Sequence, residues 1–507
     1  MLSVESIADR ARRTPDKAAV ILGGSGTILT YRELDAAANR GAHVLRAAGV
    51  AAGDAIAMCL ENGYGFFNVT WALIRCGAIV VPISARLTAK EIAFIVEDSG
   101  AKMLITSSGI DADLDTLARM TPHVIRFVAG ADTPGYRYWD AETNAASTDA
   151  IVDEGEGSTM LYSSGTTGRP KGVHRRSTGG SSGVFDSAVR IFGMLGLDDS
   201  MVYLSPAPLY HSAPFAWSMA TVLVGGTVVI MKRFDAEQAL ELIERCRVTI
   251  GQWVPTHFVR LLKLDEATRH TYDLSSLKVA VHAAAPCPVP IKRAMIDWWG
   301  PILFEYFGST EQSALTFITS DEWLTHPGSV GRCQRGILHI CDDSGEPVPT
   351  GTTGQVYSEG GVNFDYHNDP EKTAQSRNHL GWTSVGDIGY LDQEGYLYLT
   401  DRKNFMIISG GVNVYPQEIE NLLVTHPRVA DAAVIGTPHP DLGEQVTAIV
   451  QPLDMADATP AFAETLKSWV RSELSGVKVP KRIEFRETLP RLPTGKMVKH
   501  TLRQEYS

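Results

Sequence analysis

The stretch Ser163-Ser164-Gly165-Thr166-Thr167-Gly168-Arg169-Pro170-Lys171-Gly172 combines small residues, four hydroxyls and a lysine, directly after the strand-like run 158–162. Small side chains let backbone N–H groups approach phosphate oxygens, the hydroxyls add donors, and Lys171 brings a full charge to a polyanion. A Walker A loop needs adjacent Gly and Lys followed by Ser or Thr, whereas Arg169-Pro170 separates Gly168 from Lys171 here. A P-loop ATPase or kinase is therefore disfavoured, and a plain surface Gly/Ser loop is the alternative. A second segment runs Phe304-Glu305-Tyr306-Phe307-Gly308-Ser309-Thr310-Glu311. Its aromatics offer a flat surface for a purine, Gly308 leaves room beside it, Thr310 can donate to a phosphate, and Glu311 is a hard oxygen ligand suited to Mg²⁺. By itself such an aromatic pair is more often a piece of core.

The surrounding pattern predicts how these segments are held. Thr30 and Glu33 form a T-x-x-E capping box ahead of a helical run through Leu34, Ala38 and Leu45. A strand-like run at 55–60, a helical stretch over Trp71 to Arg75 and an apolar run at 78–83 follow. Similar short apolar runs recur at 227–231, 249–254 and 279–281. Such βα alternation implies α/β architecture, with a parallel or mixed sheet covered by helices. After Asp401 the texture changes: Pro416 opens a helix through Ile419, Leu422 and Leu423, strands follow at 429–436 and 445–452, and Phe462, Leu466, Trp469 and Val470 fall at helical spacing before Gly476 stops them. The expected organisation is a large N-terminal domain of mixed β-sheets layered with helices over residues 1–401, and a small mobile α+β domain over 402–507. Its boundary is expected in the polar stretch Thr400–Asn404.

The 507 residues allow ample core, and 44% hydrophobic against 21% charged residues is ordinary for a globular protein. A net charge of −12 argues against a nucleic-acid or anionic-membrane surface, so an anionic ligand must meet a few placed cations. Six scattered cysteines without a C-x-x-C pair disfavour zinc ribbons, redox dithiols and disulfide scaffolds. With no signal-like h-region and no uninterrupted apolar run of about 18 residues, the expectation is a cytoplasmic protein without a transmembrane segment.

Five segments in order, namely Ser163–Gly172, Tyr306–Glu311, Ser384-Val385-Gly386-Asp387, Asp401-Arg402-Lys403 with Ser409-Gly410-Gly411, and Pro493-Thr494-Gly495-Lys496, resemble the adenylate-forming superfamily, in its acyl- and aryl-CoA synthetase branch. The resemblance runs from about Thr30 to Lys496 and implies a two-step reaction. A carboxylic acid joins ATP to give acyl-AMP and pyrophosphate, and the thiol of coenzyme A then displaces AMP. It also implies roles. Thr166, Thr167 and Lys171 would hold phosphates, Thr310 the α-phosphate, and Glu311 Mg²⁺. Asp387 would accept from the ribose hydroxyls, with a turn cap as its alternative, and Arg402 would approach the nucleotide from the hinge. Lys496 would bridge carboxylate and α-phosphate during adenylation. Rotation of the small domain would then remove Lys496 and bring Ser409, Gly410 and Gly411 to line a pantetheine tunnel. Asn404 stands at the hinge where relatives often carry Lys or Asp, a departure that removes a charge.

By the same resemblance His211, in Tyr210-His211-Ser212-Ala213, would flank the substrate carboxylate, with a core histidine as its alternative. His282-Ala283-Ala284-Ala285-Pro286 matches the adenine-side segment and places Ala284 and Ala285 at the nucleotide, but Ala283 replaces a glycine and would narrow the wall. Trp253, Phe215 and Trp217 are candidates for the acyl wall or for core. The expected partners are a largely apolar carboxylic acid, fatty, aryl or alicyclic, with ATP and CoA, and a homodimer is a general prior. No Phe-Asp-x-Ser-like segment lies near Tyr210–Trp217, which argues against an amino-acid-activating domain, and no carrier domain is expected after Lys496. The alternatives are an acyl-AMP ligase that loads a carrier protein, or a nucleotide-binding regulator without chemistry, against which Lys171, Glu311, Asp387, Arg402 and Lys496 all stand. A luciferase-like oxidation has no residue signal of its own, and phosphoryl transfer to a hydroxyl would release ADP rather than AMP.

Overall fold

A computed structural model describes residues 4–163, 170–174, 185–361, 364–491 and 497–506. Among these, two large sheets and a smaller third one carry the fold. The centre of the thirteen-stranded sheet is parallel, running through Ala18–Leu22, Thr227–Ile230, Val202–Ser205, Ile250–Trp253, Val279–His282 and Leu303–Gly308. Beyond Leu303–Gly308 the pairing turns antiparallel, ending in the strands Asp387–Leu391 and Tyr396–Arg402 and their neighbours. The eight-stranded sheet holds Ile79–Ile83, Ala55–Cys59 and Met103–Ser107 side by side in parallel, with Ser158–Ser163 joining Ile79–Ile83. The expected βα alternation is what builds both sheets.

Between the two sheets lies the largest core. The helix Ser212–Val224 has ten buried residues and is apolar on nearly every side, so it can sit only where protein surrounds it. It packs in one cluster with residues of both sheets, among them Ile56, Val80, Val228 and Val281. Each large apolar side chain buried there contributes about 1.5–3 kcal/mol. The Thr30/Glu33 capping box forms as expected, opening the helix Tyr31–Ala47.

The small domain is a five-stranded sheet with its own core around Ile419, Val434, Ala448 and Leu466. Pro416 opens the helix Pro416–Leu423, and the strands Val429–His439 and Gly443–Pro452 cover the two expected runs.

Two local expectations shift. The helix over Trp71 to Arg75 begins at Tyr64, because Tyr64, Gly65 and Asn68 interrupt the apolar pattern without interrupting the helix. The helix Pro460–Glu473 ends before Gly476, since Leu474 already turns extended. Within the expected boundary stretch, Thr400, Asp401 and Arg402 finish the strand Tyr396–Arg402, the Asp401 and Arg402 side chains being used in contacts, and the chain leaves the large sheet at Lys403. Among the described residues no helix is long and apolar enough to cross a membrane.

Candidate active site

The carboxyl ends of parallel strands from both large sheets open into one cavity of about 1710 Å³, closed on its far side by the small domain. This is where open α/β sheets collect ligands, because the loops leaving the strand ends are free to present side chains. Lys171, His211, Ala283, Ala284, Ala285, Tyr306, Phe307, Gly308, Thr310, Glu311, Asp387 and Arg402 all line it, brought together from segments spread over more than two hundred residues.

Antiparallel pairing sets Asp387 opposite Arg402, and Arg402 Nε donates to Asp387 Oδ1 at 3.0 Å. The carboxylate raises the Arg402 pKa above its ordinary value. Asp387 Oδ2 is buried and accepts no hydrogen bond among the described residues. A buried acceptor left empty costs about 1–3 kcal/mol, so a donor from a ligand in the cavity is what this oxygen lacks. A hydroxyl group is one such donor.

Glu311 is buried on the cavity wall, and Tyr366 donates its hydroxyl to Glu311 Oε1 at 2.9 Å. Burial, then the neighbouring Glu311 charge, pushes the Tyr366 phenol up, so it stays a donor. Lys171 Nζ lies 5.8 Å from the Tyr366 ring centre, its pKa lowered chiefly by burial and then by the charge of Lys372. Among the described residues no trio of His, Cys, Asp or Glu gathers around a point. A divalent ion carried on a triphosphate takes most of its ligands from phosphate and water and needs only one or two carboxylates, so Glu311 fits Mg²⁺.

The strand Leu303–Gly308 delivers the aromatic segment. Tyr306 accepts from Gln252 Nε2 at 3.0 Å and stacks on Trp217, with ring centres 6.3 Å apart and planes 9° apart. A methyl group built on Gly308 would meet nothing nearer than the Ala314 carbonyl oxygen at 3.5 Å, so the protein does not require glycine there. Its open side faces the cavity. On the adjoining strand end Ala283 is buried, while Ala284 carries φ +77. That left-handed conformation costs a residue with a Cβ about 1–2 kcal/mol and turns the exposed Ala284 and Ala285 into the cavity.

Beneath this wall the register pairs His282 with Glu305. Lys292 Nζ meets Glu305 Oε2 at 2.6 Å, and His282 Nε2 lies 3.4 Å from the same oxygen. All three are buried. Burial and the Lys292 charge hold His282 well below its ordinary pKa, hence neutral. His211 caps the helix Ser212–Val224 and packs on Tyr210, ring centres 4.0 Å apart. Trp217 and Trp253 reach the cavity, whereas Phe215 is core.

Sequence profiles of two families match the chain: AMP-binding enzyme over residues 7–364, and the AMP-binding enzyme C-terminal domain over residues 418–496. The chain belongs to the AMP-binding enzyme family. The long-chain-fatty-acid–CoA ligase FadD13 of Mycobacterium tuberculosis is 32% identical over 513 residues, covering 99% of this chain and 98% of that protein. A feruloyl-CoA synthase from Amycolatopsis is 34% identical over 508 residues, covering 98% and 97%. Among solved structures, the o-succinylbenzoate CoA synthetase of Bacillus subtilis bound to its acyl-adenylate has a TM-score of 0.83 at 28% identity, covering 98% of this chain and 97% of that one. The adenylate-forming family, the acid–CoA ligase class, the α/β fold with a small C-terminal domain, and the set of ATP, Mg²⁺ and CoA stand as read from the sequence.

For this AMP-binding enzyme, Thr166, Thr167 and Lys496 lie outside the described residues. Ser409, Gly410 and Gly411 form a hairpin turn on the small domain, with positive φ at both glycines, and are not among the residues lining the cavity. Asn404, in a 3₁₀ turn, does line it. Tyr366, Gln252 and Lys292 were not legible as site residues. Only Glu305, inside the aromatic segment, stood beside a visible signal.

Proposed function

We propose that this enzyme adenylates a largely apolar carboxylic acid and passes the acyl group to CoA, with the following division of labour. The observation that carries the nucleotide part is the empty, buried Asp387 Oδ2 beside Arg402, a clasp that fits a ribose. Ala284, Ala285, Tyr306, Phe307 and Gly308 enclose the adenine. Thr166, Thr167, Lys171 and Thr310 donate to phosphate oxygens, and Glu311 holds Mg²⁺, which supplies charge neutralisation when the acid and phosphate approach. His211 flanks the acid carboxylate, and Lys496 adds a cation that interacts most strongly as charge develops in the transition state. For the second half-reaction the small domain, taken as 402–507 and turning about 402–404, carries Ser409, Gly410 and Gly411 to the thiol path.

Long-chain fatty acids and ferulate, the acids named for the relatives, are the first substrates to try. Trp217 and Trp253 on the wall support an apolar acyl group. A cytoplasmic location and a homodimer belong to the same proposal; six free cysteines support the former, and the prevalence of two-fold assemblies the latter. The deciding experiment measures AMP and pyrophosphate release from Mg-ATP across straight-chain, branched, alicyclic and cinnamate-type acids, with and without CoA. CoA-dependent AMP from one acid class is expected. Pyrophosphate without any thioester would mean that the acceptor is a carrier protein.

A further inference from the structure

Behind the aromatic segment runs a short polar chain with hydrogens to spare. Tyr203 donates its hydroxyl to Gln252 Oε1 at 3.3 Å, and Gln252 Nε2 donates to the Tyr306 hydroxyl at 3.0 Å. Alternation along the strand Leu303–Gly308 turns the Tyr306 side chain to the sheet face opposite Phe307, where it stacks on Trp217 of the helix Ser212–Val224. Gln252, Tyr306 and Trp217 line the cavity, whereas Tyr203 and the buried Ser205 and Ser218 are not among its lining residues. Burial pushes the phenols of Tyr203 and Tyr306 up, so both keep their protons.

Tyr203 and Tyr306 hold one donor hydrogen each and the Gln252 amide holds two, yet among the described residues only two hydrogen bonds are made. One amide hydrogen is left over whichever way the amide is turned. On the inner side the Ser205 and Ser218 hydroxyls, themselves without a partner among the described residues, stand beside Tyr203. On the outer side is the cavity. A buried donor without an acceptor bears the full cost of its lost hydration, so this end of the chain lacks an acceptor from a ligand.

The same slot is short. Trp217 is 2% exposed and is backed by Phe192, with ring centres 5.0 Å apart and planes at 81°, and by Tyr203 at 6.1 Å. Neither backing ring lines the cavity, so a chain cannot pass Trp217 without displacing core. His211, which caps the helix, and Trp217 are six positions apart, or about 9 Å at the rise of an α-helix.

We infer that the Gln252–Tyr306 pair reads an oxygen acceptor, a carbonyl, hydroxyl or ether, at the far end of a compact acid whose carboxylate lies at His211. The inference deepens the acid-adenylating reading and rests on it. An acid ending in plain hydrocarbon would seal unused donor hydrogens against carbon, and a long chain would meet the Trp217 wall. A site built to hydrogen-bond a substrate group rejects the analogue lacking it far more strongly than an apolar pocket rejects a change of size.

The test is pyrophosphate release from Mg-ATP with matched acids: para-hydroxycinnamate against para-methylcinnamate, an alicyclic ring ketone against its hydrocarbon twin, and palmitate as the over-length chain. In each pair kcat/KM is expected to favour the oxygenated acid about tenfold or more, with palmitate the poorest. Gln252→Leu, close in volume and without a hydrogen to donate, should bring that ratio to about one. Tyr306→Phe, which removes only the hydroxyl, should lower it, and decides the matter if the first variant does not fold. A ratio near one in the unsubstituted enzyme, a ratio that both variants keep, or palmitate outpacing the oxygenated acids overturns the inference. So does a rise in KM for ATP in the variants with the acid ratio intact, since the pair is then a brace for the adenine wall. Absence of release with every acid overturns the adenylation reading and the inference together, whereas release without preference removes the inference alone.

Discussion

The two walls of the cavity are built on different plans. On the large domain, the cavity-lining Asp387, Glu311 and Glu305 are held by partners on the strands and helices beside them, Arg402, Tyr366 and Lys292. On the small domain, the pairs Lys499–Glu420 and Arg491–Asp431 also face the cavity, but both partners belong to the small domain. Among the described residues, polar contacts that cross the boundary include Lys263 Nζ donating to the Val429 carbonyl, Gln417 N donating to Asp401 Oδ2 at 3.0 Å, and Lys403 in the hinge, which meets Asp343 at 2.7 Å, Gln355 at 3.4 Å and the Gly386 carbonyl at 2.9 Å. One wall is therefore held by its own strand pairs and the other by pairs internal to the small domain, so the proposed rotation would not unpair these charges.

Three experiments break or sharpen this contrast. The largest effect is expected on the small-domain side, from Lys496→Ala. Pyrophosphate release should fall about 10²–10³-fold, the usual loss when one donor to developing charge is removed. Thioester formation from a supplied acyl-adenylate should be largely retained, and an equal fall in both half-reactions, followed by rapid quench, would reject a two-position small domain. Next, Asp387→Asn on the fixed wall should raise KM for ATP about 10–100-fold, the range for charged hydrogen bonds, with little change in KM for the acid. Matched rises in both constants would point to a purely structural aspartate.

The smallest effect separates the two walls by acid. Burial lowers the pKa of His257 in the large domain to about 3, from an ordinary 6.5. Its folded form therefore stays neutral while its unfolded form takes a proton below pH 6.5, so the stability this residue contributes is full above that pH and is lost as pH falls toward 3. Between pH 6.5 and pH 5 the loss is about 2 kcal/mol from this residue alone. In the small domain His426, although little exposed, is lowered in the same direction by burial and by Arg428. Of the nine tryptophans all but Trp469 lie in the large domain, so urea unfolding followed by tryptophan fluorescence reports chiefly on that wall. Its midpoint should drop at pH 5, and His257→Gln should reduce the drop.

Much of this was legible before any coordinates. The aromatic segment, Lys171 and Asp387 were marked in the sequence, Asp387 through the resemblance, and all line the cavity, while the βα alternation foretold the sheets whose ends gather them. What escaped acts through partners distant in sequence. Nothing near Tyr366 marks it as the donor to Glu311, and nothing near Gln252 or Lys292 announces Tyr306 or Glu305. The left-handed Ala284 was hidden because alanine seldom takes that conformation, and attention fell on its neighbour Ala283 instead. Thr400–Asn404 read as a domain boundary because they are polar, and Asp401 and Arg402 spend that polarity on the Gln417 amide and on Asp387.

One rung of the ladder has a mechanical meaning. Asp387 and Arg402 form the last strand pair before the chain crosses into the small domain, and Lys403 N still donates to the Gly386 carbonyl at 2.9 Å. On the proposed roles, the grip on the sugar and the pivot are neighbouring bonds on one lever, so a ribose that takes up Asp387 would pull at the fulcrum itself.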